Sequence, residues 1–147
     1  MVSAIIQLGK TTPFSYNSTD KKKKRLYVKR IQEAFSRIYN GKIPKYRSGV
    51  ELYGQVYFFT SEGTDLDADN ISKPVWDALK GEVYDDDKQI VSRASTVVYM
   101  KRHDSISIDG TTEMAADLLQ VITKKNVKCL YIECGRFNET MIQIEKE

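Results

Sequence analysis

Six aspartates in two groups of three, Asp65/Asp67/Asp69 and Asp85/Asp86/Asp87, flank one short helical pattern. In an extended segment successive side chains alternate faces, so Asp67 and Asp69 point the same way. A helix that folds back toward the strand it left returns the second group toward the first. Carboxylate oxygens gathered in this way suit a hard divalent cation, which prefers oxygen ligands. A solvated acidic turn, with Asp69 or Asn70 capping the helix, accounts for any one of these residues. It accounts poorly for all six together, whose mutual repulsion needs a cation or a basic partner to relieve it; Lys73 is one candidate.

Two shorter motifs explain the acids less well. An EF-hand loop needs Gly at position six and Glu at position twelve, and counting from Asp65 those places hold Asn70 and Trp76. Asp86-Asp87-Lys88 matches the acid-x-Lys element of restriction-enzyme-like nucleases, a pattern with many chance matches, and in extended backbone Lys88 would point away from Asp87. His103, the only histidine, has no partner motif and reads as a surface loop residue rather than a general base.

The elements that must position these acids can be read from periodicity and turn chemistry. Residues 2–8 form an apolar run long enough for a buried strand. Residues 11–18 are rich in turn formers and read as a loop. Asp20 can cap a helix in which Ile31, Ala34, Phe35 and Ile38 keep the i, i+3, i+4, i+7 spacing and which stops at Asn40-Gly41. Residues 52–60, LYGQVYFFT, are aromatic and β-rich, with Gly54 marking a bulge or a close approach. Tyr53, Tyr57 and Phe59 offer faces for base stacking, although aromatic residues on a strand more often build a core.

Pro74 belongs in a first turn, which places the start of the next helix near residues 71–73; Val75, Ala78 and Leu79 line it and Gly81 ends it. Residues 89–99 form a third strand and residues 101–112 a loop. Residues 113–122 form a helix using Met114, Leu118, Val121 and Ile122. Residues 128–134 and 141–145 read as two further strands, with residues 135–138 turning between them. The expected fold is one α/β domain over residues 1–147. It is a two-layer β-α-β-α-β mixed sheet with helices on one face, plus a C-terminal α-β-β extension.

A formal net charge of +3 hides a strong asymmetry. Residues 1–50 carry twelve Lys/Arg against two Asp/Glu, and residues 62–87 carry nine acids against two lysines. The basic third is densest at Lys21, Lys22, Lys23, Lys24 and Arg25, followed by Lys29 and Arg30. Cations at a helix N-terminus oppose the macrodipole at about 0.3–1 kcal/mol each, so stability does not favour them there. A phosphate-gripping patch does, and Lys42, Lys45 and Arg47 continue its field; a merely solvated segment is the plainer reading. The apolar runs are too short for a membrane span, and the N-terminus lacks a secretory leader, so a cytoplasmic protein is expected. Cys129 and Cys134, five apart in a strand, fall on opposite faces and should remain thiols.

Asp67-Ala68-Asp69-Asn70, Lys73, Asp77-Ala78-Leu79, Gly81, Asp86-Asp87 and Gln89 occur in the order of a longer signature. They resemble the D-x-D-N-x-x-K, D-A-L, G, D-D-x-Q pattern of the RusA family of Holliday-junction resolvases over about 25 residues. The resemblance implies an endonuclease that cuts four-way DNA junctions in recombination and repair, acting as a homodimer. It implies Mg2+, with Mn2+ as a substitute, held by Asp67, Asp69 and Asp87, and a catalytic role for Lys73. Asp86 adjoins this set, Asp65 lies outside the pattern, and Asp77 within it is expected to pack or to pair with Lys73. Residues 101–147 depart from the family's usual length. Two rivals remain at this point: a DNA-binding module without catalysis, and a metal-dependent nuclease for flap or duplex DNA.

Overall fold

The computed structural model describes residues 1–9, 19–64, 66–108 and 113–137. The loop expected at residues 11–18 and the strand expected at residues 141–145 lie outside these, as does Asp65. The described chain runs β1 (Val2–Gln7), α1 (Lys21–Ile38), β2 (Leu52–Thr60), α2 (Ala68–Leu79), β3 (Ile90–Tyr99), α3 (Glu113–Ile122) and β4 (Lys128–Arg136). Short 3-10 turns at Asp87–Gln89 and Met100–Arg102 flank β3. Among the described residues no helix is long and apolar enough to cross a membrane.

The four strands form one mixed sheet in the order β1-β4-β2-β3. Strands β2 and β3 are parallel, while β4 is antiparallel to both β1 and β2. The last strand in the chain therefore occupies the interior of the sheet. It is apolar on alternate residues toward both faces: Leu130, Ile132 and Cys134 join one core, and Cys129 joins the other. The turn expected at residues 135–138 does not start at Gly135, because Gly135 and Arg136 still pair with Tyr53 and Leu52.

Helices α1 and α2 cover one face. Tyr27, Ile31 and Phe35, one turn apart, bury the α1 stripe against Ala4, Ile6 and Leu8 of the β1 segment. Ile38, expected on that stripe, is 40% exposed. Asp20 accepts from the Lys23 amide and caps the helix, and left-handed Asn40 and Gly41 end it. Helix α3 instead packs on the opposite face, where Leu118 and Ile122 meet Phe59, Val127 and Cys129. The two-layer core built by α1 and α2 thus gains cover on its second face from the C-terminal segment.

Strand β2 is buried on both sides: Val56 and Phe58 face α1 and α2, and Phe59 faces α3. It is therefore unavailable as an apolar contact for another copy of the chain, and Tyr53 and Phe59, 6% and 5% exposed, are core residues rather than stacking platforms. Gly54 marks a close approach. A Cβ there would lie 2.5 Å from the Trp76 ring, so only glycine lets α2 settle onto β2.

Candidate active site and nucleic-acid interface

Helix α2 begins at Ala68, earlier than Pro74 led us to expect, and Pro74 sits inside it. The ring cannot donate to the carbonyl of Asn70 four residues back, a loss tolerated because the buried stripe of Ile71, Val75, Ala78 and Leu79 holds the helix to the sheet. Asp67 occupies the N-cap position, yet its side chain makes no capping hydrogen bond, so its carboxylate is not committed to the helix. Asp69, Lys73 and Asp77 follow at four-residue intervals and form the exposed edge of α2. Asp77 meets the ammonium of Lys24 on α1 at 3.7 Å, an ion pair between helices that sequence spacing did not signal.

The second acidic group divides its labour. Asp85 is spoken for by Lys45 at 2.6 Å and by the Ser48 hydroxyl at 2.7 Å. Those two hydrogen bonds, Lys45 first, hold its carboxyl below the usual range. Asp86 caps the 3-10 turn by accepting from the Lys88 amide at 3.0 Å. That amide, and then a hydrogen bond with Asp87, keep the Asp86 carboxyl low as well. Gln89 is 7% exposed. Its amide oxygen accepts from the Asp85 and Asp86 amides at 3.1 and 3.2 Å, and its amide nitrogen donates to the carbonyls of Arg47 and Val50 at 2.8 and 3.2 Å. The last residue of the D-D-x-Q pattern is therefore a clamp that sets the shape of the acidic turn. Asp87, next to these structural acids, is half-buried and shares a side-chain hydrogen bond with Asp86.

Strand β3 brings the two acidic segments to one place. Arg93, Ser95 and Val97 lie on the face that α2 covers, because they pair with Gly54, Val56 and Phe58. Arg93 donates to the carbonyl of Asp87 at 2.9 Å. Ser95 donates to the carbonyl of Ala68, the first residue of α2. Two residues along one strand face span about 6.7 Å, so the N-terminus of α2 and the acidic turn are tied to neighbouring positions. Beneath them Tyr84 donates to the carbonyl of Trp76. Burial pushes the Tyr84 phenol well above its ordinary value, and the charges of Arg93, Asp87 and Asp77 all reach it.

Asp67, Asp69 and Asp87 thus offer hard oxygen donors, the ligand type of Mg2+; Asp67 makes no capping bond, Asp87 shares a hydrogen bond with Asp86, and among the described residues none of the three is in a salt bridge given by the structure. Among the described residues no three acidic, histidine or cysteine side chains are closed around a common point. In donor chemistry the residues fit the cation, and the segments that carry them are tied to β3 through Ser95 to Ala68 and Arg93 to Asp87.

Of the cations singled out by sequence, Lys21, Lys22, Lys23 and Arg25 are exposed on the first turns of α1, which contain no acid. Lys24 turns toward Asp77, Lys29 pairs with Glu33 at 3.8 Å, and Arg30 donates to the carbonyl of Gln7 at 2.7 Å. Lys45 is tied to Asp85 and so serves the acidic turn. His103 is exposed. Arg93 and Ser95 went unnoticed in the sequence; their signal was alternate spacing on the strand that follows the D-D-x-Q pattern.

The family model of Endodeoxyribonuclease RusA matches residues 10–109. That range takes in α1, β2, α2, the acidic turn and β3, and the chain belongs to the RusA family of Holliday-junction endodeoxyribonucleases. Strand β4, which completes the centre of the sheet, lies beyond the matched residues. No curated protein matches the chain significantly.

Proposed function

We propose that the chain is a Mg2+-dependent endodeoxyribonuclease that resolves four-way DNA junctions in recombination and repair. The observation that supports this reading is the attachment of both acidic segments to one face of β3, through Ser95 to Ala68 and Arg93 to Asp87. Asp67, Asp69 and Asp87 would hold the cation, with Mn2+ as a substitute. The cation supplies Lewis-acid charge to the phosphate and lowers the pKa of water.

The remaining chemistry falls to the chain itself. Lys73, one turn from Asp69 on the exposed edge of α2, is placed to donate to a nonbridging phosphate oxygen or to the leaving oxygen. Gln89 and Asp86 keep the backbone at Asp87 rigid, so its carboxylate need not be ordered when DNA arrives. Lys21, Lys22, Lys23 and Arg25, with Lys29 and Arg30 further along α1, would grip backbone phosphates and carry no sequence information.

A symmetric homodimer completes the proposal. The chain carries one acidic motif, and resolution requires two nicks in strands of like polarity, which a two-fold pair of sites supplies. The test is to incubate the purified protein with labelled junction, flap and duplex DNA, with and without Mg2+, and to titrate in Asp69→Asn protein. Paired nicks in the junction alone, Mg2+-dependent and lost in proportion to mixed dimers, are expected. Equal cutting of flap or duplex would replace the substrate, and retention of DNA without any cutting would leave a binding module.

A further inference from the structure

Arg93 is a cation set between the two acidic segments. It lies on the face of β3 that α2 covers, opposite Gly54, and yet the residue is exposed. Its Nη2 donates to the carbonyl of Asp87 at 2.9 Å. Ser95, ~6.7 Å further along the same face, donates to the carbonyl of Ala68, which Asp67 and Asp69 flank. The guanidinium is therefore anchored at the backbone of one candidate cation ligand, on the strand that also fixes the segment carrying the other two.

Charge balance within the acidic turn does not account for it. Asp85 already has Lys45 and the Ser48 hydroxyl, and the charges of Lys80 and Lys88 reach Asp86. Among the described residues Arg93 is in no salt bridge given by the structure, and its bond goes to a neutral carbonyl. A neutral donor suffices for such a bond, as the Ser95 hydroxyl shows two residues on. What arginine adds is a full positive charge and further N–H groups in a planar fork, the geometry that matches phosphate oxygens. A divalent cation on Asp87 would repel a guanidinium so near it, and an anionic phosphate lying against both turns that repulsion into attraction. The bond to Asp87 also holds the long side chain in place, which lowers the entropy lost when a ligand binds.

We infer that Arg93 binds a nonbridging oxygen of the DNA backbone phosphate next to the one that is cut, and so sets which bond lies over the cation. The inference rests on the proposed function for the identity of the substrate and the place of the cut. The cut phosphate itself falls to the cation and Lys73. An arginine held at the Asp87 backbone, to one side of the carboxylates, meets the phosphate beside it.

The test uses the full chain, Arg93→Gln, which keeps a neutral N–H donor, and Arg93→Lys, which keeps the charge without the fork. Four-way junctions carrying one uncharged methylphosphonate at each phosphate flanking the cut are compared with the unmodified junction in single-turnover cutting below saturation. In the parent, one flanking methylphosphonate should slow cutting about tenfold, the size expected when a hydrogen bond to a charged group is lost. Arg93→Gln should be slowed about tenfold on the unmodified junction and less than about twofold further by that methylphosphonate, since both changes remove the same contact. Arg93→Lys should fall between the two proteins. If Arg93 only positions or balances Asp87, every methylphosphonate stays as costly in Arg93→Gln as in the parent, and the Mg2+ concentration needed for cutting shifts instead; that outcome overturns the inference and leaves the proposed function standing. A parent that cuts no junction overturns the proposed function and this inference with it.

Discussion

Ser95, in the middle of the edge strand β3, donates its hydroxyl to the carbonyl of Ala68 and so fixes the point at which α2 begins. Asp67 precedes that point and Asp69 follows it, so one hydroxyl sets the position of two carboxylates. Ser95→Ala should lower the single-turnover cutting rate at least tenfold while reducing stability by only about 1 kcal/mol, the usual net worth of one hydrogen bond. Cleavage kinetics beside urea unfolding separate the two effects. A parental cutting rate would show that α2 is positioned by its packing alone.

Gln89 presents the converse case, a buried side chain whose loss should act first on stability. Gln89→Leu keeps the volume but strands two amides and two carbonyls of the 47–50 and 85–86 segments. A loss of about 3 kcal/mol is expected, since several buried groups lose their partners at once. Chemical denaturation measures it, and a change below about 1 kcal/mol would mean that water replaces the clamp.

Gly54 and Trp76 should be coupled. Gly54→Ala drives a methyl group into the indole, and overpacking of this kind typically costs about 1–3 kcal/mol. Trp76→Leu frees that space, so the double variant should be more stable than the sum of the single changes predicts. The indole nitrogen of Trp76 is buried with no hydrogen-bond partner among the described residues, so its removal forfeits packing but no bond. Strict additivity in a double-mutant cycle would refute the contact.

Much of this architecture was legible in the sequence because it is local. The α1 stripe, its Asp20 cap, the β2 run and the order of the acidic motif all depend on residues within a few turns of one another. The insertion of β4 between β1 and β2 was not, because alternating apolar residues such as Leu130 and Ile132 tell which faces are buried but not which strands lie alongside. Pro74 misled for a related reason: its local preference for a first turn yielded to the packing of Ile71 and Ser72, both buried, against the sheet. The candidate acids were found through their spacing. The residues that position them, Arg93 and Ser95, act across the fold and left only an alternation in the text.

Cys129 and Cys134 lie on opposite faces of β4, and burial pushes both thiols up to about 12. A folded pKa above the unfolded value of about 8.5 contributes stability that is complete below that value and is lost as pH rises toward about 12. Stability should therefore decline through the alkaline range. Alkylation of both cysteines should be slow in the native protein and should accelerate with denaturant in step with unfolding. Rapid native labelling at mildly alkaline pH would contradict the burial of β4.

The central claim is that Asp87, carried on a turn shaped by Asp86 and Gln89, joins Asp67 and Asp69 in holding the catalytic cation. Asp87→Asn removes one ligand charge and one negative charge facing phosphates, and keeps the Lys88 amide from which Asp86 accepts in its cap. The decisive measurement is the rate of junction cleavage by this variant in Mg2+, with junction affinity recorded in the same samples. We predict cleavage reduced by a factor of about 10³ or more, a change of the size expected when a charged transition-state stabiliser is lost, with binding equal to the parent or tighter. Cleavage at the parental rate would contradict the account.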